Sequence, residues 1–231
     1  MRLEDILLSG ENMQPATRKV VHRSPAHTVR LLNLPHLQDE AIEADSSVER
    51  DFVHCAALFT LTRAIKAQPF KLSLKASSYT PDFAVKFADG YCAVVEVKPE
   101  KFVDSYQELF AHARRQLAER GMLFFVVRDT RLRHGGLMER ALIIRRYAKG
   151  VCRLADQQLA KTMVAEAGGT VSIMSLREAG VPLEVILYLV AHRQLMLGAD
   201  LRYESKDLVY LPNVGEEGAC HALQFGRWLD I

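Results

Sequence analysis

The chain has 231 residues, of which 49% are apolar and 25% charged, and its formal net charge is +2. This composition is ordinary for a folded globular protein and argues against intrinsic disorder. No segment approaches the roughly 18 uncharged apolar residues of a membrane-spanning helix, so we expect no contact with a membrane. The first residues also lack the basic and apolar regions of a signal peptide.

The four cysteines are scattered and include no C-x-x-C pair, which argues against a zinc site and against a disulfide framework. Reduced thiols in a cytoplasm are the simplest interpretation. Charge is distributed unevenly along the chain. Residues 101–150 contain 11 Lys and Arg against 5 Asp and Glu, whereas residues 151–231 contain 7 against 10. This asymmetry favours a DNA-facing first part and a different role for the last part.

The first 45 residues are interrupted by prolines and predict an irregular N-terminal arm with short strands. Arg18, Lys19 and Arg23 give this arm a basic character, and we name them as candidate DNA contacts. Such an arm could follow a phosphate backbone, or it could be a loosely packed edge of the fold.

Alternating elements follow the arm. Three- and four-residue spacing of apolar positions predicts a helix over residues 46–66, and alternation predicts strands over 70–74, 79–87 and 91–98. The turn sequence at 88–90 indicates that the last two strands form a hairpin.

The next elements complete a first domain. The pattern predicts a helix over 104–120, a strand over 122–127 that is buried on both faces, a basic loop over 131–136 and a helix over 137–148. We therefore expect an α/β fold in which helices flank a central mixed sheet.

The remaining residues form a separate pattern. They predict a helix over 153–167, a short strand over 170–173, helices over 175–179 and 182–193, and a hairpin from segments 195–203 and 208–211. A helix–turn–helix followed by a hairpin is typical of a winged-helix domain.

One group of acidic and basic residues has the spacing of a candidate catalytic site. Asp82 is followed, after thirteen residues, by Glu96-Val97-Lys98, in which Glu96 and Lys98 lie on the same side of a strand. A two-residue turn would pair Asp82 with Val97, on the wrong face. A three-residue turn or a bulge would pair it with Glu96, and we predict one of these.

Converging carboxylates of this kind suit a hard divalent metal, so we expect Mg²⁺ as the cofactor, with Mn²⁺ able to substitute. Asp82, Glu96 and the carbonyl of Val97 are the candidate ligands, and Lys98 could orient the attacking water or offset charge on the phosphorus centre. The alternative is that Asp82 only begins a turn and that Glu96 and Lys98 form a solvated pair. Their position in an apolar strand favours the catalytic interpretation.

Other candidates have simpler alternatives. Glu49 could supply a third carboxylate, but on spacing alone a capping box with Ser46 is the better interpretation. Candidate phosphate contacts follow the catalytic strand and could equally lie on solvated helix faces. They are Arg114, Arg115, Arg131 and Arg133.

Several segments together resemble the TnsA family, the endonuclease subunits of heteromeric transposases, within the PD-(D/E)xK nuclease superfamily. The segments that carry the resemblance are SVERDF at 47–52, QPF at 68–70, YTPDF at 79–83, VEVKPE at 95–100 and FFVVR at 124–128. The resemblance covers roughly residues 18–150. It implies a restriction-endonuclease-like core over residues 46–150, after the arm at 1–45, and a partner-docking winged-helix-like domain over 151–231.

The resemblance also implies an activity. The enzyme would cut the 5′ strands at transposon ends in double-stranded DNA, beside a TnsB-like DDE recombinase and a TnsC-like AAA+ ATPase. Glu49, Asp82 and Glu96 would be metal ligands and Lys98 the catalytic lysine, although some relatives carry Gln at the position of Glu96. The compact length is similar to versions from CRISPR-associated transposons. A bacterial, cytoplasmic location follows.

Two other functions compete with this one. A stand-alone restriction or defence nuclease of the same superfamily would cleave DNA without partners. A non-catalytic winged-helix protein would instead bind DNA through residues 151–231. The net charge of −3 in that segment argues against DNA binding, as does a second helix that contains Glu184 but no Lys or Arg between 181 and 191. We therefore expect this segment to dock a protein.

Overall fold

The computed structural model describes residues 13–14, 30–73, 78–212 and 220–231, with the backbone alone at 13–14. The predicted DNA contacts Arg18, Lys19 and Arg23 lie outside these described residues. Within the described ranges, every helix is too short or too polar to span a bilayer.

The first part of the chain alternates between strands and helices. Its strands are β1 (Met13–Gln14), β2 (Arg30–Leu32), β3 (Ile42–Ala44), β4 (Thr62–Ala67), β5 (Lys71–Ser73), β6 (Ser78–Tyr79), β7 (Phe83–Phe87), β8 (Cys92–Lys98) and β9 (Leu123–Arg128). Its helices are α1 (Ser47–Ala56), α2 (Glu100–Val103), α3 (Gln107–Ala118), α4 (Asp129–Arg133) and α5 (Leu137–Tyr147). The predicted α/β class is therefore confirmed.

A four-stranded mixed sheet forms the centre of this part, with strand order β4-β7-β8-β9. Strand β7 is antiparallel to both of its neighbours, β4 and β8, whereas β8 and β9 run parallel to each other. Helices cover both faces, an arrangement that fits a restriction-endonuclease-like core. Smaller sheets, β1-β5-β6 and β2-β3, lie beside it.

The two faces of the central sheet belong to separate apolar clusters. On one face, Val95 and Val97 join a core that includes Phe52 of α1. On the other, Val94 packs in a core that includes Phe110 of α3. Because side chains alternate along a strand, Glu96 lies on the same face as Val94, toward α3.

The predicted helix over 46–66 is wrong in its second half. Helix α1 ends at Ala56, and the chain turns into strand β4 at Thr62. The Thr62 hydroxyl donates a hydrogen bond to the Ala56 carbonyl at 2.9 Å, which satisfies one of the free carbonyls at the helix end. Helical spacing of apolar residues continued past Ala56 because this whole turn is buried.

Two smaller expectations have different outcomes. Strand β9 is buried on both faces, as predicted, because Phe124 lies in the apolar cluster on one side of the sheet and Val127 in the cluster on the other. The predicted basic loop at 131–136 instead contains the end of α4 and a turn of 3-10 helix at His134–Gly136.

The C-terminal part contains the predicted elements in the predicted order and a further helix, His221–Leu229, that the sequence pattern did not predict. Its helices are α6 (Leu154–Glu166), α7 (Ile173–Glu178), α8 (Leu183–Ala191) and α9 (His221–Leu229), and its strands are β10 (Thr170–Ser172), β11 (Met196–Leu197) and β12 (Leu208–Tyr210). The strands form an antiparallel sheet in the order β10-β12-β11. Whether this is a winged-helix domain stays a prediction.

Helix α9 packs back against the first part of the chain. Phe225 lies among aromatic rings of the first part, with ring centroids 5.3 Å from Phe87 and 5.4 Å from Phe59. At the start of the helix, the His221 backbone amide donates to Asp89 Oδ2 at 2.9 Å, in the hairpin turn. The two parts therefore share one apolar core, while the domain boundary at residue 150 stays a prediction.

This packing predicts an unusual effect of a glycine substitution in α9. A Cβ on Gly226 would lie 2.9 Å from the ring of Phe125. Gly→Ala normally stabilises a helix by about 1 kcal/mol. We expect Gly226→Ala to destabilise instead, by about 1–3 kcal/mol, because the buried contact is overfilled. Urea unfolding of the full chain measures the difference.

Gly198→Ala is the matched control, because a Cβ there would meet nothing within 4 Å. We expect its free energy of unfolding to stay within about 0.5 kcal/mol of the wild type. A stabilised Gly226→Ala variant would mean that α9 does not pack on the sheet.

Candidate active site

The turn between β7 and β8 sets the geometry of the predicted site. Phe83 pairs with Val95 and Lys86 with Cys92, and the Phe87 amide donates to the Tyr91 carbonyl at 3.0 Å. The turn therefore has three residues, with Gly90 in the left-handed conformation at a φ of 88°. This register extends to place Asp82 opposite Glu96, as predicted.

Asp82 is tied directly to the second strand. Its Oδ2 accepts a hydrogen bond from the Val97 backbone amide at 2.8 Å, while its own carbonyl accepts from the Gln68 amide at 2.8 Å. These two bonds anchor Asp82 between the ends of β4 and β8. The Asp82 carboxylate therefore lies at the mouth of the hairpin, beside Glu96.

Glu96 is buried, with only 2% of its surface exposed. The Lys98 ammonium lies 2.7 Å from its Oε1, and the Tyr79 hydroxyl donates a hydrogen bond to its Oε2. Both oxygens of the carboxylate thus have a partner, as a buried charge requires. Lys98 also lies 5.6 Å from the centre of the Tyr106 ring.

The site is crowded with like charge. Burial, and then the nearby Glu96, raise the pKa of Asp82 well above its ordinary value, and Glu49 adds to the effect. Burial alone would lower the pKa of Lys98, but Asp82 and Glu96 outweigh it and hold that pKa above its usual range. Burial and Glu96 also raise the pKa of Tyr79, so its hydroxyl remains a donor.

Glu49 occupies the capping position that its spacing from Ser46 favoured, whereas its role as a metal ligand stays a prediction. Its backbone amide donates to Ser46 Oγ at 3.1 Å, and its carboxylate accepts from the Asp45 amide at 2.8 Å, so it belongs to a helix cap. Burial raises its pKa, and its charge acts on Asp82. Glu49 is therefore close enough to influence the site electrostatically while it caps α1.

The donor chemistry of the site suits a hard cation. Two carboxylates face each other across the hairpin, and their mutual repulsion is of the kind that a divalent ion relieves. Among the described residues, no group of three or more His, Cys, Asp and Glu is arranged to hold a metal. A third oxygen would therefore have to come from the Val97 carbonyl, a solvent molecule or a moved Glu49.

The structure separates the predicted phosphate contacts into two groups. Arg114 and Arg115 on α3 are exposed, and Arg114 lies 5.9 Å from the Phe124 ring. Arg115 lies 3.4 Å from His112 Nδ1 on the same helix, whereas Arg131 and Arg133 have partners in other elements of the fold.

Arg131 donates to the Leu229 carbonyl at 2.8 Å, and its side chain is only 14% exposed. Arg133 donates to Ser47 Oγ at 3.2 Å and lies 3.6 Å from the carboxylate of Asp51. These two arginines connect elements of the fold to one another, which the basic character of their segment did not reveal.

Sequence reasoning gave Tyr79 no role in the site. The residue lies three positions before Asp82 in strand β6, and its ring packs edge-on against Phe124 at 6.5 Å. The only available signal was the position of a tyrosine just before the Pro81-Asp82 pair. A hydroxyl contact to a carboxylate 17 residues later depends on how β6 folds over the sheet, which spacing does not reveal.

Comparison with known proteins adds one finding. Residues 59–129 match the family model described as TnsA-like endonuclease N terminal. The matched segment is about a third of the chain and includes Asp82, Glu96 and Lys98, whereas Glu49 lies outside it. No curated protein matches the chain.

The crowded carboxylates predict a stabilising substitution. The pKa of Asp82 is raised in the folded state, so its ionised form costs stability, and this cost appears as pH rises through the raised pKa. We expect Asp82→Asn to be more stable than the wild type at pH 8 by about 0.5–2 kcal/mol, the usual size of single stabilising changes. The difference should shrink as pH falls.

Urea unfolding in a chelating buffer at several pH values measures this trend. Asp39→Asn, which removes a carboxylate at an exposed position, is the control, and its free energy of unfolding should stay within about 0.5 kcal/mol of the wild type. A less stable Asp82→Asn variant at pH 8 would show that Asp82 is stabilised, rather than strained, by its neighbours.

Proposed function

We propose, from the premise that residues 59–129 form a TnsA-like endonuclease N-terminal domain, that this chain is the metal-dependent DNA endonuclease subunit of a transposase. The observation that carries the proposal is the convergence of Asp82, Glu96 and Lys98 at one end of the β7–β8 hairpin, inside the matched segment. A metal-dependent nuclease needs acidic side chains that hold the metal and a cationic side chain beside the phosphodiester that is hydrolysed.

Each residue has a distinct role in this proposal. Asp82 and Glu96 hold Mg²⁺ or Mn²⁺, with the Val97 carbonyl and Glu49 as further oxygen donors. The bound metal would supply an acidified water and polarise the phosphate. Lys98 neutralises charge that develops on the phosphate oxygens and orients the nucleophile. The network around Glu96 keeps these groups in place before DNA arrives.

The substrate is double-stranded DNA at transposon ends, where the enzyme cuts the 5′ strands. Exposed Arg114 and Arg115 support phosphate contacts near the site, since both project from the helix that covers the catalytic face. A TnsB-like recombinase would process the 3′ ends, and a TnsC-like ATPase would regulate the assembly. These partners follow from the family resemblance. An origin in a CRISPR-associated transposon is part of the same proposal.

Residues 151–231 serve, in this proposal, as a winged-helix-like docking domain for a protein partner. The second helix of the helix–turn–helix supports docking rather than DNA reading. Along α8, Glu184 is the one residue that is exposed, and most of the apolar residues are buried. A recognition helix needs several exposed polar or basic side chains to reach base edges.

A metal-binding experiment tests the site. We expect crystals grown with duplex DNA and soaked in Mn²⁺ to show anomalous density between Asp82 and Glu96, about 2.1 Å from their oxygens. The Asp82→Ala variant in the same crystals is the control and should lose the peak. Density elsewhere, with Asp82 and Glu96 unoccupied, would remove the basis for the nuclease assignment.

A DNA cleavage assay tests the proposed role of Lys98. We expect Lys98→Ala to slow 5′-strand cleavage at least about 100-fold, because charge on the transition state is no longer offset. Lys101→Ala is the matched control. It removes an exposed lysine three residues away, whose ammonium lies over the Phe102 ring, and should cleave normally.

The assay contains Mg²⁺ and is run with and without the recombinase partner. Cleavage by the wild type without any partner would favour a stand-alone nuclease of the same superfamily. A Lys98→Ala variant as active as the wild type would contradict the proposed role of the lysine.

A further inference from the structure

Tyr79 occupies a fixed position beside the candidate active site. It ends strand β6, pairs with Leu72 of β5, and leaves only 8% of its surface exposed. Its ring packs edge-on against Phe124, in the cluster that covers the catalytic face of the sheet. A buried tyrosine hydroxyl needs a hydrogen-bond partner, and here the partner is Glu96.

The two oxygens of Glu96 are held from different sides. Tyr79 donates to Oε2 from the interior, while Lys98 lies 2.7 Å from Oε1 and has 26% of its side chain exposed. The lysine side of Glu96 is therefore nearer to solvent than the tyrosine side. A cation that approaches from solvent would meet Oε1 first and compete with Lys98, while the bond to Tyr79 stays out of its path.

We propose that Tyr79 is a positioning residue, which fixes the Glu96 carboxylate so that Oε1 faces the incoming metal. This inference rests on the proposed function. Hydrogen bonds from neighbours to a ligating carboxylate set its orientation, and their loss typically weakens metal affinity or activity by about 10- to 100-fold. Tyr79 does not touch the reacting phosphate, so its effect passes through Glu96.

The hydrogen bond from Tyr79 also gives the two oxygens of Glu96 different roles: Oε2 fixes the orientation of the carboxylate, and Oε1 binds Lys98 or the metal. If both oxygens of Glu96 were free to rotate, Lys98 could pair with either, and the metal site would have to be assembled at each encounter. With Oε2 held, the exchange of Lys98 for a cation involves Oε1 alone. The site is then preorganised, which reduces the free energy spent on ordering the ligand.

Titration calorimetry with Mn²⁺, on the full chain bound to duplex DNA, tests the inference. We expect Tyr79→Phe, which removes one hydroxyl and keeps the ring, to bind Mn²⁺ about 10- to 100-fold more weakly than the wild type. Tyr91→Phe is the matched control, since Tyr91 is 58% exposed at the opposite end of strand β8, and its affinity should not change.

A double-mutant cycle identifies the route of the effect. Because Tyr79 acts through Glu96, we expect Tyr79→Phe to weaken Mn²⁺ binding much less when Glu96→Ala has already removed the carboxylate. An equal loss in both backgrounds would show a general structural effect and would overturn the inference. So would unchanged Mn²⁺ affinity in the single Tyr79→Phe variant.

The wild-type chain provides a second test that does not depend on any variant folding. The hydroxyl proton of Tyr79 should give a slowly exchanging, downfield proton resonance that persists when Mg²⁺ is added. Its disappearance on metal binding would overturn the inference and leave the metal site itself intact. If the wild type bound no Mn²⁺ even with DNA, the proposed function would fail, and the inference with it.

Discussion

The register of the β7–β8 hairpin is the constraint on which the candidate site depends. A turn of three residues, with Gly90 in a conformation that other residues adopt only with strain, places Asp82 opposite Glu96. A slip of one residue would turn one of the two carboxylates to the other face of the sheet, into the apolar core around Phe52. The chemistry at the mouth of the hairpin is therefore fixed by a turn at its far end.

The two carboxylates of the site reduce the stability of the fold, and their neighbours offset part of this cost. Two carboxylates at the end of a buried strand repel each other, and burial adds to the penalty. Lys98 and Tyr79 offset this cost at Glu96, and the Val97 amide does so at Asp82. Replacement of buried charged groups by apolar residues of similar shape is often neutral or stabilising. Folding alone therefore does not explain why charged residues stand at the end of a strand that is otherwise apolar.

Much of this arrangement could be predicted from the sequence, because it depends on local rules. Strand alternation placed Glu96 and Lys98 on one face, and the thirteen-residue spacing limited the turn to a few lengths. Contacts between distant segments could not be predicted. The contact of Tyr79 with Glu96 and the hydrogen bond from Arg131 to Leu229 both depend on how separate elements fold together. A basic residue that faces DNA and one that connects two helices look alike in a sequence.

The end of the chain shows why the two parts should not be treated as independent modules. Helix α9 places Phe225 on the central sheet, and Asp89 in the hairpin turn accepts a hydrogen bond from the first residue of that helix. Arg131 connects the segment after β9 to the end of α9. The C-terminal part is therefore joined to both ends of the central sheet. A shift of helix α9 would reach the site without a long path through the molecule, because the turn that sets the register of the site is itself in contact with this helix.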